Sequence, residues 1–153
     1  MKTRDLVRLS NLVSFLKRWQ KPDWQFSIFL CNILAKIGKY TDEIAEKQKI
    51  LIERESELMI EFCEKDVNGR PIVQEVYNDD GQLTNKIYKG LMKGENPEYD
   101  EEIKKLRDED KRILDEEVDI DLSDIRIKKE KLPYRNEKWT TEMFQVLEPY
   151  IEG

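Results

Sequence analysis

Histidine is missing from this 153-residue chain, and cysteine occurs only twice, at Cys31 and Cys63. The first absence removes the commonest general base and the commonest neutral metal ligand. It also excludes Ser-His-Asp and Cys-His catalysis within one chain. Two thiols are too few for a zinc site or a disulfide scaffold, and they point to a reducing compartment. The six glycines are scattered, so no glycine-rich phosphate loop is present. Long apolar runs are lacking as well. The longest, Phe26 to Ile37, contains Ser27, Asn32 and Lys36 and is too short to span a bilayer. The residues after Met1 are polar and charged, unlike a secretory leader. The composition therefore leads us to expect no cofactor, no metal and a soluble intracellular setting.

What is abundant is charge, at 39% of residues, against an equal hydrophobic share and a net charge of −6. The charge is uneven. Residues 1–24 carry six bases (Lys2, Arg4, Arg8, Lys17, Arg18, Lys21) against Asp5 and Asp23, which is +4. Residues 98–121 carry twelve acids against five bases, which is −7. An acidic helix argues against general affinity for nucleic acid. The basic start has two readings: contact with RNA or DNA, or pairing with the acidic segment of the same fold or of a second copy.

Periodicity sets the organisation. Leu6, Leu9, Leu12, Val13, Leu16 and Trp19 recur at helical spacing, which predicts a helix from Asp5 to Trp19 capped by Asp5 or Thr3. Lys21-Pro22-Asp23 breaks it. A longer helix is expected from about Asp23 to Glu64. Its first half is apolar on several faces, so Cys31 reads as core. Trp19 and Trp24 read as a staple between the two helices. From Ile33 through Tyr40, Ile44, Leu51 and Leu58 the apolar residues form a seam of 3.5-residue spacing. That seam fits a neighbouring helix of the same molecule or a homodimer along Tyr40–Leu58.

The period then changes to two. Ile72, Val73, Val76 and Tyr77 precede Asp80-Gly81, and Leu83, Ile87 and Tyr88 follow it. With Asn68-Gly69 upstream, residues 66–88 read as a β-hairpin, which is unstable without something to pack on. Asn96 is the expected N-cap and Pro97 the first residue of a helix reaching about Glu117, with Tyr99, Ile103, Leu106, Ile113 and Leu114 as its narrow stripe. Val118, Ile120, Leu122, Ile125 and Ile127 alternate with polar residues as short strands or extended segments. Thr140 or Thr141 caps a closing helix holding Met143, Phe144, Val146, Leu147 and Ile151, which Pro149 bends or ends early. The expected fold is α+β and mainly α. Long charged antiparallel helices carry a β-hairpin at the tip, and short strands lie near the C-terminus. The chain reads as a single domain, 1–153, with a helical hairpin arm over 38–117.

Three constellations bear on chemistry. Asp119, Asp121 and Asp124, with Glu130 further on, outline a calcium loop, but Asp124 stands where such loops need glycine. The competing reading is the solvent face of an edge strand. Glu98, Asp100, Glu101, Glu102, Asp108 and Glu109 form an acidic face that can compete for a basic groove on a partner protein. Trp139 stands beside Lys138 as a candidate recognition aromatic.

The order of elements resembles an uncharacterised family of small proteins from phages and prophages of Gram-positive bacteria. The resemblance rests on Asn11-Leu12-Val13-Ser14-Phe15-Leu16, on Ile33-Leu34-Ala35-Lys36-Ile37, on Glu116-Glu117-Val118-Asp119-Ile120-Asp121 and on Thr140-Thr141-Glu142-Met143-Phe144-Gln145-Val146-Leu147-Glu148. It covers most of the chain, as a pattern and not as a catalytic motif. The long hairpin insert and Pro149 depart from it. The resemblance implies a phage setting, in the host cytoplasm, and supplies no activity or site residues. With the composition, it gives the expectation of a non-enzymatic factor that occupies the surface of a host or defence protein. The alternative is a virion or assembly accessory, such as a head or tail component, in contact with phage proteins. Membrane partners are not expected.

Overall fold

The structure is a computed structural model that describes residues 1–18, 24–133 and 140–153. The described chain is mainly helical, with one antiparallel hairpin and short strands near the C-terminus. In order it comprises α1 (Thr3–Lys17), α2 (Trp24–Phe62), β1 (Val73–Tyr77), β2 (Leu83–Tyr88), α3 (Pro97–Asp115), β3 (Ile127–Lys128), a 3₁₀ turn at Lys129–Lys131, α4 (Thr141–Leu147), a 3₁₀ turn at Glu148–Tyr150, and β4 (Ile151–Glu152). Two compact units emerge. Residues 1–46 and 113–153 form unit 1, and residues 47–112 form unit 2.

Unit 1 holds most of the core. On α1, the i, i+3, i+7, i+10 spacing of Leu6, Leu9, Val13 and Leu16 places all four on one buried face. The first half of α2 answers with Phe26, Phe29, Leu30, Ile33 and Ile37, all buried. Leu122, Ile125, Ile127, Leu147 and Tyr150 are buried in the same unit. Each fully buried aliphatic side chain contributes about 1.5–3 kcal/mol.

Thr3 is not a cap. The N-cap position is Lys2, which makes no side-chain cap bond. Thr3 is instead buried, and both its amide (2.9 Å) and its hydroxyl (3.1 Å) donate to the carbonyl of Glu116. Arg4 pairs with Asp115, so part of the basic start meets the acidic segment within one molecule. Two further expectations fall on exposed residues in this unit. Cys31 is exposed, and Trp24 is 68% exposed, while Trp19, the other half of the expected staple, lies outside the described residues. The apolar run covers several faces of α2, but only the Phe26–Ile37 face is covered.

The C-terminal strands are shorter than the alternation implied. Residues 118–122 form no strand, although the Val118 amide donates to the Met1 carbonyl at 2.8 Å, and a turn follows, in which the amide of Ile125 donates to the carbonyl of Leu122. Only Ile127–Lys128 forms a strand, parallel to Ile151–Glu152. Thr140 caps α4, its hydroxyl accepting from the Met143 amide at 3.3 Å. Pro149 lies just past the last residue of α4, and Ile151 belongs to β4.

Unit 2 is built differently. Three of its hydrophobic residues are buried: Leu58, Cys63 and Tyr99. In this unit α2 and α3 run antiparallel. Gln48 donates to Asp110 at 3.0 Å, Arg107 pairs with Glu55 at 3.1 Å, and the Phe62 and Tyr99 rings lie 6.3 Å apart. The seam read from sequence is occupied within each unit. Tyr40 donates to the Asp119 carbonyl and Ile44 is buried in unit 1, while Leu58 is buried in unit 2. Within each unit these seam residues are engaged by the same molecule, while Tyr40 and Leu51 stay half-buried.

Candidate functional surface

One turn chemistry is used twice in unit 2. Asp66 accepts from the amides of Asn68 and Arg70, and Asn78 accepts from those of Asp80 and Gln82. Each turn has glycine at its fourth position, Gly69 at φ +74° and Gly81 at φ +76°, where other residues are strained. The first turn closes an isolated bridge between Lys65 and Pro71, and the second joins β1 to β2. The strands pair Val73 with Tyr88, Gln74 with Ile87 and Glu75 with Lys86. Strand pairing thus begins seven residues later than the 66–88 span suggests, because 66–70 is a separate turn.

The base of the hairpin is tied to the end of α2 through Glu64. Its amide donates to the Lys89 carbonyl, its carbonyl accepts from Ile72, and its carboxylate pairs with Lys89 at 3.3 Å. Beside this junction lies an open groove of about 720 Å³. Phe62, Ile72, Ile87, Tyr88 and Met92 supply its apolar lining. None of the β1 or β2 residues is buried. Nine large hydrophobic residues of unit 2 are exposed, among them Ile72, Tyr77, Leu83, Ile87 and Met92. A two-stranded hairpin gains little stability from such packing, and exposed apolar surface of this kind is typical of contact sites. The sequence contained this signal in the two turn motifs and the polar–apolar mixture between them. It gave no indication that the groove at the hairpin base would be open.

The acidic residues of α3 do not line up as a uniform field. Glu102 pairs with Lys105 at 3.0 Å, and that carboxylate raises the pKa of the lysine. Glu109 pairs with Arg112, and Asp100 accepts from the Gly94 amide at 2.9 Å. Glu98, Glu101 and Asp108 remain exposed. At 100° per residue, Glu101 and Asp108 share the outer face with Lys104, Lys105 and Arg112. The helix is acidic in sum and mixed in pattern, which weakens any long-range field. Trp139, together with Trp19 and Tyr134, lies outside the described residues.

The carboxylates of Asp121 and Asp124 each have a partner, and Asp119 is held through its backbone. The backbone carbonyl of Asp119 accepts from Tyr40, Asp121 accepts from the Ser123 amide at 2.8 Å, and Asp124 pairs with Lys36. Those hydrogen bonds hold the Asp121 and Asp124 carboxyls below the usual carboxylate range. Among the described residues no group of three or more acidic or thiol side chains is placed to hold a metal ion. Nor is any described helix long and apolar enough to cross a membrane. The chain matches no family model, no curated protein and no solved structure.

Proposed function

We propose that this chain is a non-enzymatic protein-binding factor whose contact surface is the hairpin and groove of unit 2. One observation carries the reading: unit 2 buries three hydrophobic residues and exposes nine large ones. The occupant that suits an open apolar groove beside unpaired strand edges is an extended apolar segment of another protein. The acidic residues of α3 act as a polar rim that favours a basic partner. The phage setting comes from the sequence resemblance. Within it, the partner is a host or defence protein in the host cytoplasm, held and blocked by the bound factor.

The test is a pull-down from infected host cells with a tagged chain, followed by mass spectrometry and repeated with two variants. Ile72→Asp/Ile87→Asp places charge in the groove at exposed positions. Glu98→Lys/Glu101→Lys/Asp108→Lys reverses the rim. The expected result is a discrete host or defence protein that the groove variant fails to hold. The rim variant should hold it more weakly at low salt and recover part of the binding as added salt screens the repulsion. Capture that ignores the groove variant overturns the assignment of the surface. Recovery of head or tail proteins replaces the inhibitor reading with the assembly one.

A further inference from the structure

Unit 1 holds a cationic cleft that the function proposed above does not use. In a chain of net charge −6, residues 126–131 carry Arg126, Lys128, Lys129 and Lys131 against Glu130. Ile127 is buried, and the period of two in an extended chain sends Arg126 and Lys128 to the other side, where both are exposed. The 3₁₀ turn that follows brings Lys131, three residues on, back beside Lys128. The facing wall is the α2 stripe of Gln25, Ile28, Phe29 and Asn32, spaced i, i+3, i+4 and i+7. Between the walls lies a cleft of about 290 Å³ whose lining includes Arg126, Lys128 and Lys131 and no acidic residue.

The cleft is built and its charge is uncompensated. Nη1 of Arg126 donates to the carbonyls of Ile125 at 2.8 Å and Leu122 at 3.4 Å, which fixes the guanidinium. One turn after Asn32, Lys36 donates to the Asp121 carbonyl at 3.2 Å and pairs with Asp124, tying α2 to the segment that leads into β3. The acids of that segment are engaged, Asp124 by Lys36 and Asp121 by the Ser123 amide. Among the described residues no carboxylate pairs with Lys128 or Lys131. We propose that the cleft binds the phosphate backbone of a single-stranded nucleic acid, with Trp24 as the platform on which a base stacks. The cleft lies just under the ~300–1,000 Å³ of pockets that enclose a whole small molecule, so it suits one unit of a longer chain. Trp24 is 68% exposed. On α2 it lies about 40° around from Ile28 and about 6 Å before it along the axis. An open indole face one turn from three cations is the combination that holds unpaired bases and their phosphates. A carboxylate-rich peptide satisfies the cations and leaves the indole unused. A duplex needs a longer basic face than three residues supply in an acidic chain.

The test is the anisotropy of a fluorescein-labelled oligothymidylate titrated with the whole chain at several salt concentrations. Three phosphate contacts predict a log–log salt slope of about −2, which weakens binding ~20-fold between 50 and 200 mM salt. Lys128→Ala/Lys131→Ala should flatten the slope to about −0.7. Trp24→Ala should weaken binding about fivefold or more and leave the slope unchanged. None of these three side chains is in the core, so circular dichroism should match the wild type. Lys104→Ala/Lys111→Ala removes the same charge from exposed positions on α3 and should leave the slope as it was. No binding at low salt overturns the proposal. So does a slope that the α3 variant flattens as much as the cleft variant, which assigns the attraction to net charge. Displacement by polyglutamate at equal charge, with Trp24→Ala binding normally, makes the cleft a site for acidic protein segments and removes the nucleic acid.

Discussion

The side-chain amide of Asn96 donates to the backbone carbonyl of Phe62, the last residue of α2, at 3.3 Å. Its oxygen meanwhile accepts from the Tyr99 amide at 3.1 Å, closing the first turn of α3. One residue thus satisfies an orphan carbonyl of one helix and an orphan amide of the next. In a unit with only Leu58, Cys63 and Tyr99 buried, that double bond carries unusual weight.

Asn96→Ala removes both bonds and should cost about 1–2 kcal/mol, read as a lower denaturation midpoint with an unchanged slope. Asn96→Asp keeps the cap but loses the donor and sets a carboxylate against the Phe62 carbonyl. It should fall between the two. An Asp variant as stable as the wild type shows that the Phe62 bond contributes nothing.

Gly90 sits at φ +86°, and a Cβ there meets the Glu64 Cγ at 2.8 Å. Gly94, at φ +89°, has open space around the same position. Both alanine substitutions bear the left-handed backbone penalty of about 1–2 kcal/mol. Gly90→Ala should cost more, because Glu64 must swing away and leave Lys89. In the Glu64→Ala background the two costs should become equal. A Gly90 excess that survives there assigns the strain to something other than Glu64.

Much of this architecture is legible in the sequence because it depends on local rules. The spacing of Leu6, Leu9, Val13 and Leu16 predicts α1, Asn96-Pro97 predicts the start of α3, and the two Asx–Gly turns predict where the chain reverses. What stays hidden depends on which neighbour arrives. An apolar helix run cannot say which of its faces is covered, so Cys31 reads as core and Trp24 as half of a staple, and both turn out exposed. Thr3 reads as a cap because its chemistry suits one, yet a carbonyl 113 residues away claims it. The parallel pair of β3 and β4 is two residues long and leaves no periodic trace. The acidic residues are visible one by one, but whether they form a field depends on the lysines and arginines that share their face.

The hairpin should be the least protected ordered element of the chain. Its strands hold no buried residue, and local opening costs little where few apolar contacts are lost. Native-state hydrogen exchange should show amides of Val73–Tyr77 and Leu83–Tyr88 exchanging well before those around Leu30 and Ile33. A bound partner in the groove should slow them. Protection in the free protein equal to that of Leu30 indicates that the hairpin is buttressed and removes the reason for expecting a partner there.

Acid should act on unit 1 through Asp121 and Asp124. The Asp124 carboxyl is lowered chiefly by its hydrogen bond to Lys36, and Asp121 by its bond to Ser123. A carboxyl whose folded pKa is depressed adds stability that is present above its unfolded value. That stability is lost as the pH falls through the folded one. The loss should therefore begin near pH 4, the unfolded value, and continue below it. Asp124→Asn removes one of the two titrations, so its melting temperature should fall less steeply than the wild type's as the pH is lowered below about 4, the unfolded value. Lys36→Met tests the cause. It should raise the Asp124 pKa, followed by NMR of the carboxyl carbon, while leaving Asp121 lowered by Ser123. An Asp124 titration unmoved by Lys36→Met shows that the pairing does not persist in solution, and the acid limb must then come from other carboxylates.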